Sequence, residues 1–206
     1  MIGFYNYTVI LTYIGTVFGF AGICFTLSGN IKAALLCLMI SGFCDLFDGK
    51  IASTMKRTKP EKRFGIQIDS LSDLICFGVL PAIIVYECSA GKIFQLLLCA
   101  VYVLCALIRL AWFNVDEEQR QDSEDHGREK YLGMPVTTSA LILPILMAFA
   151  NFFSISFHIF CPILLILTAA AFITPFSLKK PGWPGKIIIL IVGLAGFALL
   201  LQWMLS

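Results

Sequence analysis

The sequence predicts an all-α polytopic membrane protein, a bundle of about six to eight transmembrane helices that forms a single domain over residues 1–206. Composition and hydropathy carry this prediction. Hydrophobic residues make up 59% of the chain, charged residues only 14%, and the mean hydropathy is +0.88. Soluble domains have about 25% charged and about 45–50% apolar residues, which excludes an ordinary soluble enzyme, a disordered chain and a coiled coil.

Seven apolar runs are long enough to cross the hydrocarbon, which takes about 20 residues per helix. Because the backbone must satisfy its own hydrogen bonds in lipid, each run is predicted to be a helix. The break near residues 151–156 is the weakest, since only a short polar cluster separates two runs. The predicted spans are residues 9–27, 31–47, 68–86, 93–113, 135–153, 155–176 and 187–205.

Basic residues concentrate in three segments, 50–63, 120–130 and 179–186. The predicted spans place all three segments on the same side. Basic loops favour the cytoplasmic side of a membrane. We therefore expect a multi-pass protein of the cell membrane (plasma or inner membrane) with a cytoplasmic N-terminus.

Composition also limits the partners. The net charge is only +2, and no basic patch is interleaved with exposed aromatic residues, so no nucleic-acid partner is expected. The eight cysteines form no CxxC pair, and most lie in apolar runs, where cysteine behaves as a small hydrophobic residue. Neither a disulfide framework nor a zinc site is expected.

Four acids stand out at the ends of predicted spans. Asp45 and Asp48 close the second span, and Asp69 and Asp73 open the third. Spacings of three and four residues put each pair on one face of its helix. An acid at the centre of a membrane helix costs about 2.5–3.5 kcal/mol. Because both pairs flank the same loop, we expect them to meet just inside the membrane surface.

Four carboxylates facing one another repel unless cations neutralise them. Carboxylate oxygens suit hard divalent ions, and two such ions can clamp the attacking and leaving oxygens of a phosphoryl displacement. Gly49 and Gly65 lack side chains where a bulky ligand could approach the backbone. Two other interpretations stay open: ordinary helix-end acids solvated by water, and the cation site of a transporter.

The spacing of these residues resembles a known signature. The run from Asp45 through Gly49 to Ala52, followed by the run from Gly65 to Asp73, resembles the DxxDGxxAR…GxxxDxxxD motif of the CDP-alcohol phosphotransferase family. Residues 69–82, 109–114 and 133–135 resemble its phosphatidylserine synthase branch, with a weaker match from Thr12 to residue 19. The resemblance covers about residues 9–150, the expected catalytic core, and leaves residues 155–205 as additional spans.

This resemblance implies transfer of a phosphatidyl group from CDP-diacylglycerol to the hydroxyl of L-serine, with release of CMP, by a homodimer among membrane lipids. It implies Asp45, Asp48 and Asp69 as metal ligands. Asp73 would complete a second metal site and act as general base. Two Mg²⁺ or Mn²⁺ ions are expected, with Ca²⁺ as an inhibitory or structural occupant. Glycerol 3-phosphate or inositol phosphate is the alternative acceptor.

The nucleotide and substrate residues are expected around this motif. The resemblance places four residues beside the cytidine nucleotide: Gly49, Ala52, Ser53 and Gly65. Thr12, which belongs to the weaker match, is also expected to bind the nucleotide or substrate. Ser53 stands where the family usually has arginine, and the stretch after it is longer than usual; Lys56 or Arg57 would then supply the missing cation for a phosphate.

Arg109, Asn114 and Trp112 belong to the fourth span and its end. A cation inside a span is expensive unless it is paired. Arg109 is therefore expected to contact the lipid phosphate or the serine carboxylate, with snorkelling to the interface as the alternative. Asn114 is expected at the pocket rim. Trp112 replaces an arginine of the branch, which, with Ser53, leaves a catalytically inactive relative as a further hypothesis.

Overall fold

The structure is a computed structural model that describes residues 3–89, 93–122, 130–179 and 183–205. Within them the chain forms eight α-helices. These are α1 Ile10–Leu27, α2 Ile31–Ala52, α3 Lys59–Asp73, α4 Leu80–Cys88, α5 Ile93–Asp122, α6 Ser139–Phe152, α7 Phe157–Ile173 and α8 Trp183–Leu205. Short 3-10 helices, Tyr7–Val9 and Val136–Thr138, precede α1 and α6. The all-α fold class is confirmed.

The helices define a multi-pass membrane protein. Three stretches are long and apolar enough to cross a membrane: Tyr7–Leu27, Lys59–Cys88 and Ile93–Gln119. Three shorter apolar helices follow, Val136–Phe152, Phe157–Ile173 and Ile191–Leu205. Helix α2 has 22 residues and is long enough as well, but it contains Lys32, Asp45, Asp48 and Lys50. These seven stretches correspond to the seven predicted spans.

The third span begins earlier than predicted. Helices α3 and α4 are joined by the π-helical segment Leu74–Val79, so that helical structure runs without a break from Lys59 to Cys88 rather than over residues 68–86. A capping box starts it: Glu61 accepts from the Thr58 backbone N–H at 2.8 Å, and Thr58 accepts from the Glu61 N–H. The basic segment 50–63 is therefore helical at both ends, and only residues 53–58 form the connection between α2 and α3.

Two other regions can be compared with the predicted spans. Helix α5 continues beyond residue 113 to Asp122, so the polar stretch that follows the fourth span begins as a helical extension. The weak break near residues 151–156 is real, since α6 ends at Phe152 and Ser154 adopts a positive φ of 55°. Parts of the basic segments 120–130 and 179–186, namely residues 123–129 and 180–182, lie outside the described residues.

A small strand pair, absent from the predictions, ties two connections together. Strands β1 Lys130–Leu132 and β2 Ser177–Lys179 pair antiparallel. The pairing continues in the backbone: the Gly133 N–H donates to the Phe176 carbonyl at 2.7 Å, and the Met134 N–H donates to the Ala171 carbonyl at 3.1 Å. The connection before α6 is thus held against the end of α7.

Glycines bring α1 close to its neighbours. A Cβ atom at Gly19 would collide with the Cys76 Sγ, and one at Gly22 would lie 2.8 Å from the Leu80 Cδ2. Small residues at helix contacts let two backbones approach closely in a membrane. Helix α1 therefore packs directly against the helix that carries two of the predicted aspartates.

Candidate active site

Three of the four predicted aspartates lie together. Asp45 and Asp48 from α2 and Asp69 from α3 each offer a carboxylate oxygen, and these oxygens lie within 4.8 Å of one another. Asp48 is buried, and Asp45 and Asp69 are half-buried. The three-residue spacing on α2 places both of its carboxylates on the face that meets α3.

Asp73 lies one turn beyond Asp69 and faces the same cavity, although it is not in the group of three carboxylates. The cavity is open to solvent, and the empty space within it and at its mouth is about 190 Å³. It opens between α1, α2 and α3, and its floor is formed by the π-helical segment. Its walls are formed by Leu11, Thr12, Gly15, Ser41, Cys44, Asp45, Asp48, Asp69, Ser72, Asp73, Cys76 and Phe77.

Threonine hydroxyls support both aspartates of α2. The Thr12 Oγ1 donates a hydrogen bond to the Asp48 Oδ2 at 3.1 Å, which places the predicted Thr12 in the cavity as a partner of that carboxylate. The Thr137 side chain, from the 3-10 helix before α6, lies close enough to the Asp45 carboxylate to interact with it. Sequence reasoning missed Thr137; its signal was a polar residue just after the matched segment 133–135.

A second layer of hydroxyls joins the helices behind the carboxylates. The Thr16 and Ser72 hydroxyls lie 2.7 Å apart and link α1 to α3. The Ser41 Oγ donates to the Gly15 carbonyl at 2.9 Å and links α2 to α1. None of these three hydroxyl residues was predicted, and they hold in place the elements that carry the acids.

The predicted glycines differ in their surroundings. A Cβ atom at Gly49 would meet nothing within 4 Å, so one side of α2 is open next to Asp48. A Cβ atom at Gly65 would lie 2.9 Å from an Arg57 guanidinium nitrogen, so the Arg57 side chain packs over α3 there. Neither glycine lines the cavity itself.

The residues around the end of α2 also lie outside the cavity walls. Ala52 is half-buried, and Lys56 is exposed. Ser53 is exposed, and its hydroxyl donates to the Lys50 carbonyl at 2.7 Å, so that it caps the end of α2. The position at which the family usually has arginine therefore faces away from the carboxylates in this chain.

Arg109 is buried, with 7% of its surface exposed. Its Nε donates to the Met134 carbonyl at 3.3 Å, and its guanidinium carbon lies 6.0 Å from the centre of the Phe113 ring. The cavity walls do not include Arg109. Burial excludes snorkelling as the explanation, and the side chain contacts the segment that leads to Thr137.

Asn114 belongs to a polar network between α3 and α5. Its Oδ1 accepts from the Ser70 hydroxyl at 2.5 Å, and its Nδ2 donates to the Gln67 Oε1 at 3.3 Å. Gln67 in turn donates to Glu118 at 3.1 Å. Asn114 thus links α5 to α3 through Ser70 and Gln67, which lie on either side of Asp69 in the sequence. Trp112 is 61% exposed on the outer surface of α5, away from the cavity.

The carboxylate cluster fits a hard divalent cation. Three carboxylate oxygens this close repel strongly unless a cation lies among them. An all-oxygen donor set suits Mg²⁺, Mn²⁺ or Ca²⁺ rather than softer metals. The cluster can therefore bind a metal ion through Asp45, Asp48 and Asp69.

Comparison with known proteins identifies the family of this chain. A model of the CDP-alcohol phosphatidyltransferase family matches residues 5–205. The chain belongs to this family, which confirms the resemblance found in the aspartate motif. Members of the family generally depend on divalent metals.

The chain is also similar to individual members of the family. It is 36% identical over 124 residues to the CDP-diacylglycerol–serine O-phosphatidyltransferase of Saccharomyces cerevisiae, a match over 58% of this chain and 44% of the yeast protein. Proteins of the same name match at 30% identity over 144 residues in Bacillus subtilis (68% of this chain, 75% of that protein) and 29% over 189 residues in Methanocaldococcus jannaschii (84% of each). The chain thus spans less than half of the yeast protein.

Proposed function

We propose that this protein transfers the phosphatidyl group of CDP-diacylglycerol to the hydroxyl of L-serine, forming phosphatidylserine and releasing CMP. The observation that carries the proposal is the convergence of Asp45, Asp48 and Asp69 in one cavity, with Asp73 beside them. The choice of serine is supported by the names of the similar yeast, bacterial and archaeal proteins.

We assign Asp45, Asp48 and Asp69 as ligands of a divalent cation, Mg²⁺ or Mn²⁺, and Asp73 as the residue that completes a second such site. Bound there, the ions would neutralise the diphosphate and stabilise CMP as a leaving group. Among the described residues, the side chains that group together as possible ligands are all carboxylates, which supports an ion that prefers oxygen.

Asp73 is the proposed general base. A serine hydroxyl is a weak nucleophile near neutral pH, so a carboxylate within hydrogen-bonding reach should accept its proton. The serine oxygen then forms a bond to the phosphorus of the phosphatidyl group, and the bond from that phosphorus to the CMP oxygen breaks. Asp73 suits this role because it faces the cavity without belonging to the cluster of three carboxylates.

The open side of α2 is the proposed entry for the nucleotide. The space beside Gly49 supports a close approach of the cytidine moiety, with Ala52, Ser53 and Gly65 nearby in the chain. Lys56 and Arg57 supply positive charge at the same end of the helices, where we propose that they attract the diphosphate. Because the acyl tails stay in lipid, we place this site at the cytoplasmic face of the cell membrane.

Three further features belong to the proposal. The N-terminus is cytoplasmic, as the distribution of basic residues indicates. The catalytic core comprises about residues 9–150, which include all four aspartates and both supporting threonines. The active form is a homodimer, as implied by the family resemblance.

Release of CMP by the purified protein tests the function. The protein in detergent receives CDP-diacylglycerol, Mn²⁺ or Mg²⁺, and one acceptor from a panel of L-serine, glycerol 3-phosphate and inositol phosphate. We expect CMP with serine only. Release with another acceptor would support the same transfer reaction but would show that serine is not the acceptor. Metal binding without CMP would indicate an inactive relative, and cation flux in liposomes without a lipid product would indicate a transporter.

A further inference from the structure

The backbone carbonyl of Phe77 lies where the hydrogen bonds of its own helix are interrupted. In the π-helical segment Leu74–Val79 the Leu80 N–H donates to the Ile75 carbonyl, five residues back. The next residue, Pro81, has no N–H, so it can donate neither to the Phe77 carbonyl four residues back nor to the Cys76 carbonyl five residues back. A buried carbonyl needs a donor, because an unpaired one destabilises the fold.

Two hydroxyls from other helices supply the donor. The Tyr102 hydroxyl of α5 donates to the Phe77 carbonyl at 2.8 Å, and the Ser139 hydroxyl at the start of α6 donates at 3.2 Å. Tyr102 is 1% exposed and Ser139 is 2% exposed. Both polar groups are thus buried deep in the bundle, and both are aimed at the same oxygen.

The Phe77 carbonyl lies between two parts of this continuous helix. The acidic half is α3, which carries Asp69 and Asp73, and the apolar half is α4. The π-helical segment begins directly after Asp73, and Phe77 lines the cavity. On the far side of the junction Leu80 and Ile84 are fully buried, so the apolar half is fixed in the core. Because a π turn changes the rotation of a helix, its position determines where the acidic half points.

We propose that Tyr102 and Ser139 are positioning residues for the carboxylates of α3, because they hold the Phe77 carbonyl and thereby the π-helical segment that orients Asp69 and Asp73 toward Asp45 and Asp48. The inference rests on the proposed function in one respect, the binding of a divalent cation by these carboxylates. Neither residue touches the reacting groups.

Thermal stabilisation by Mn²⁺, measured on the purified protein without substrate, tests the link to the carboxylates. Tyr102→Phe should raise the Mn²⁺ concentration for half-maximal stabilisation about tenfold, in the range found for outer-shell partners of metal ligands. Ser139→Ala should act in the same direction. A lower melting temperature with an unchanged Mn²⁺ dependence would overturn the proposal, since a merely structural hydroxyl would give that result.

Thr168→Val is the matched control. It removes another buried hydroxyl, one that bonds to the Leu164 and Leu165 carbonyls of its own helix. The Mn²⁺ dependence should then stay at the wild-type value. A shift as large as that of Tyr102→Phe would contradict a specific role for the contact at Phe77.

Pro81→Ala tests the contact itself, without metal or substrate. The alanine gives residue 81 the N–H that an α-helical register directs to the Phe77 carbonyl, four residues back. If this bond forms, Tyr102→Phe should lower the melting temperature less in this background than in the wild type. Equal losses in both backgrounds would overturn the proposal. If Tyr102→Phe does not fold, the same comparison with Ser139→Ala decides. Failure here is distinct from failure of the proposed reaction, which CMP release reports.

Discussion

Among the single residues of the site, the four aspartates have unequal roles. Asp45, Asp48 and Asp69 share one cluster, and hydroxyls from Thr12 and Thr137 support two of them. Asp73 shares the cavity but not the cluster. In the proposed function the three clustered carboxylates bind one cation, and Asp73, which also completes the second site, accepts the proton.

Asp73→Asn tests the proposed base. Asparagine has the same shape as aspartate but cannot take up a proton, so CMP release should fall by about 10²–10⁴-fold while the melting temperature stays near that of the wild type. CMP release and thermal unfolding are measured on the same preparation. Asp116→Asn, on the exposed surface of α5, is the control and should keep full activity. Near-normal activity of Asp73→Asn would refute the assignment.

Gly49→Ala separates folding from substrate binding. A Cβ atom at this position meets nothing within 4 Å, and alanine in a helix is more stable than glycine by roughly 0.5–1 kcal/mol. The melting temperature should therefore rise slightly, while the KM for CDP-diacylglycerol increases because the added methyl group occupies the entry of the nucleotide. An unchanged KM would show that the nucleotide does not pass this side of α2.

Sequence reasoning identified the acids and glycines but not the residues that support them. The acids were recognisable because each of two neighbouring helices carries a pair on one face, three or four residues apart, and because charge is rare in this chain. Thr137, Tyr102 and Ser139 are contributed by segments far along the chain from their partners. Their hydroxyls follow no local sequence pattern, so their contacts are identified only from the three-dimensional structure.

At the scale of elements, the helix that carries Asp69 and Asp73 is the most informative. Hydropathy predicted its apolar half and missed its first turns, because residues 59–67 are polar and basic. The signal for the true start was present as Thr58 followed by Glu61, a capping box, which stabilises a helix start whatever its hydropathy. Arg57 packing over Gly65 adds a contact at the same turn.

Thr58→Ala should destabilise the start of α3. Loss of an N-cap side chain costs about 1 kcal/mol, and α3 leads directly into the site, so the melting temperature should fall and CMP release should fall with it. Thr58→Ser keeps a capping hydroxyl and should restore both. The prediction fails if the alanine and serine variants unfold at the same temperature.

For the molecule as a whole, binding of a divalent cation should raise both the melting temperature and the rate of CMP release. Adding Mn²⁺ to protein treated with a chelator should raise the melting temperature, because a ligand that binds only the folded state stabilises it by about 2.7 kcal/mol at a hundredfold excess over its Kd. The measurement is a thermal unfolding series in Mn²⁺, with CMP release followed in parallel.

Asp45→Ala tests whether the stabilising Mn²⁺ ion binds at the carboxylate cluster. Loss of one carboxylate from the cluster should weaken the Mn²⁺ stabilisation and the metal dependence of CMP release together. A variant that Mn²⁺ stabilises as well as it does the wild type would place the ion elsewhere in the protein.

For the whole molecule, the apolar helices and the meeting of acids from two neighbouring helices were predictable from hydropathy and charge, whereas the cytoplasmic side of the site stays a prediction. The pairing of β1 with β2 was not predictable, because three-residue strands far apart in the sequence leave no periodic pattern. The hydrogen bond from Arg109 to the Met134 carbonyl was missed because the two residues lie far apart in the sequence, and the predicted ligand contact of Arg109 stays a prediction.

The hydrogen bonds from Gly133 to Phe176 and from Met134 to Ala171 have a practical consequence. They couple the connection before α6 to the one after α7, so neither can shift without displacing the other. A spectroscopic probe attached near either connection would therefore follow the same movement. One distance, recorded from such a probe during turnover, would report whether this end of the bundle opens to admit a lipid.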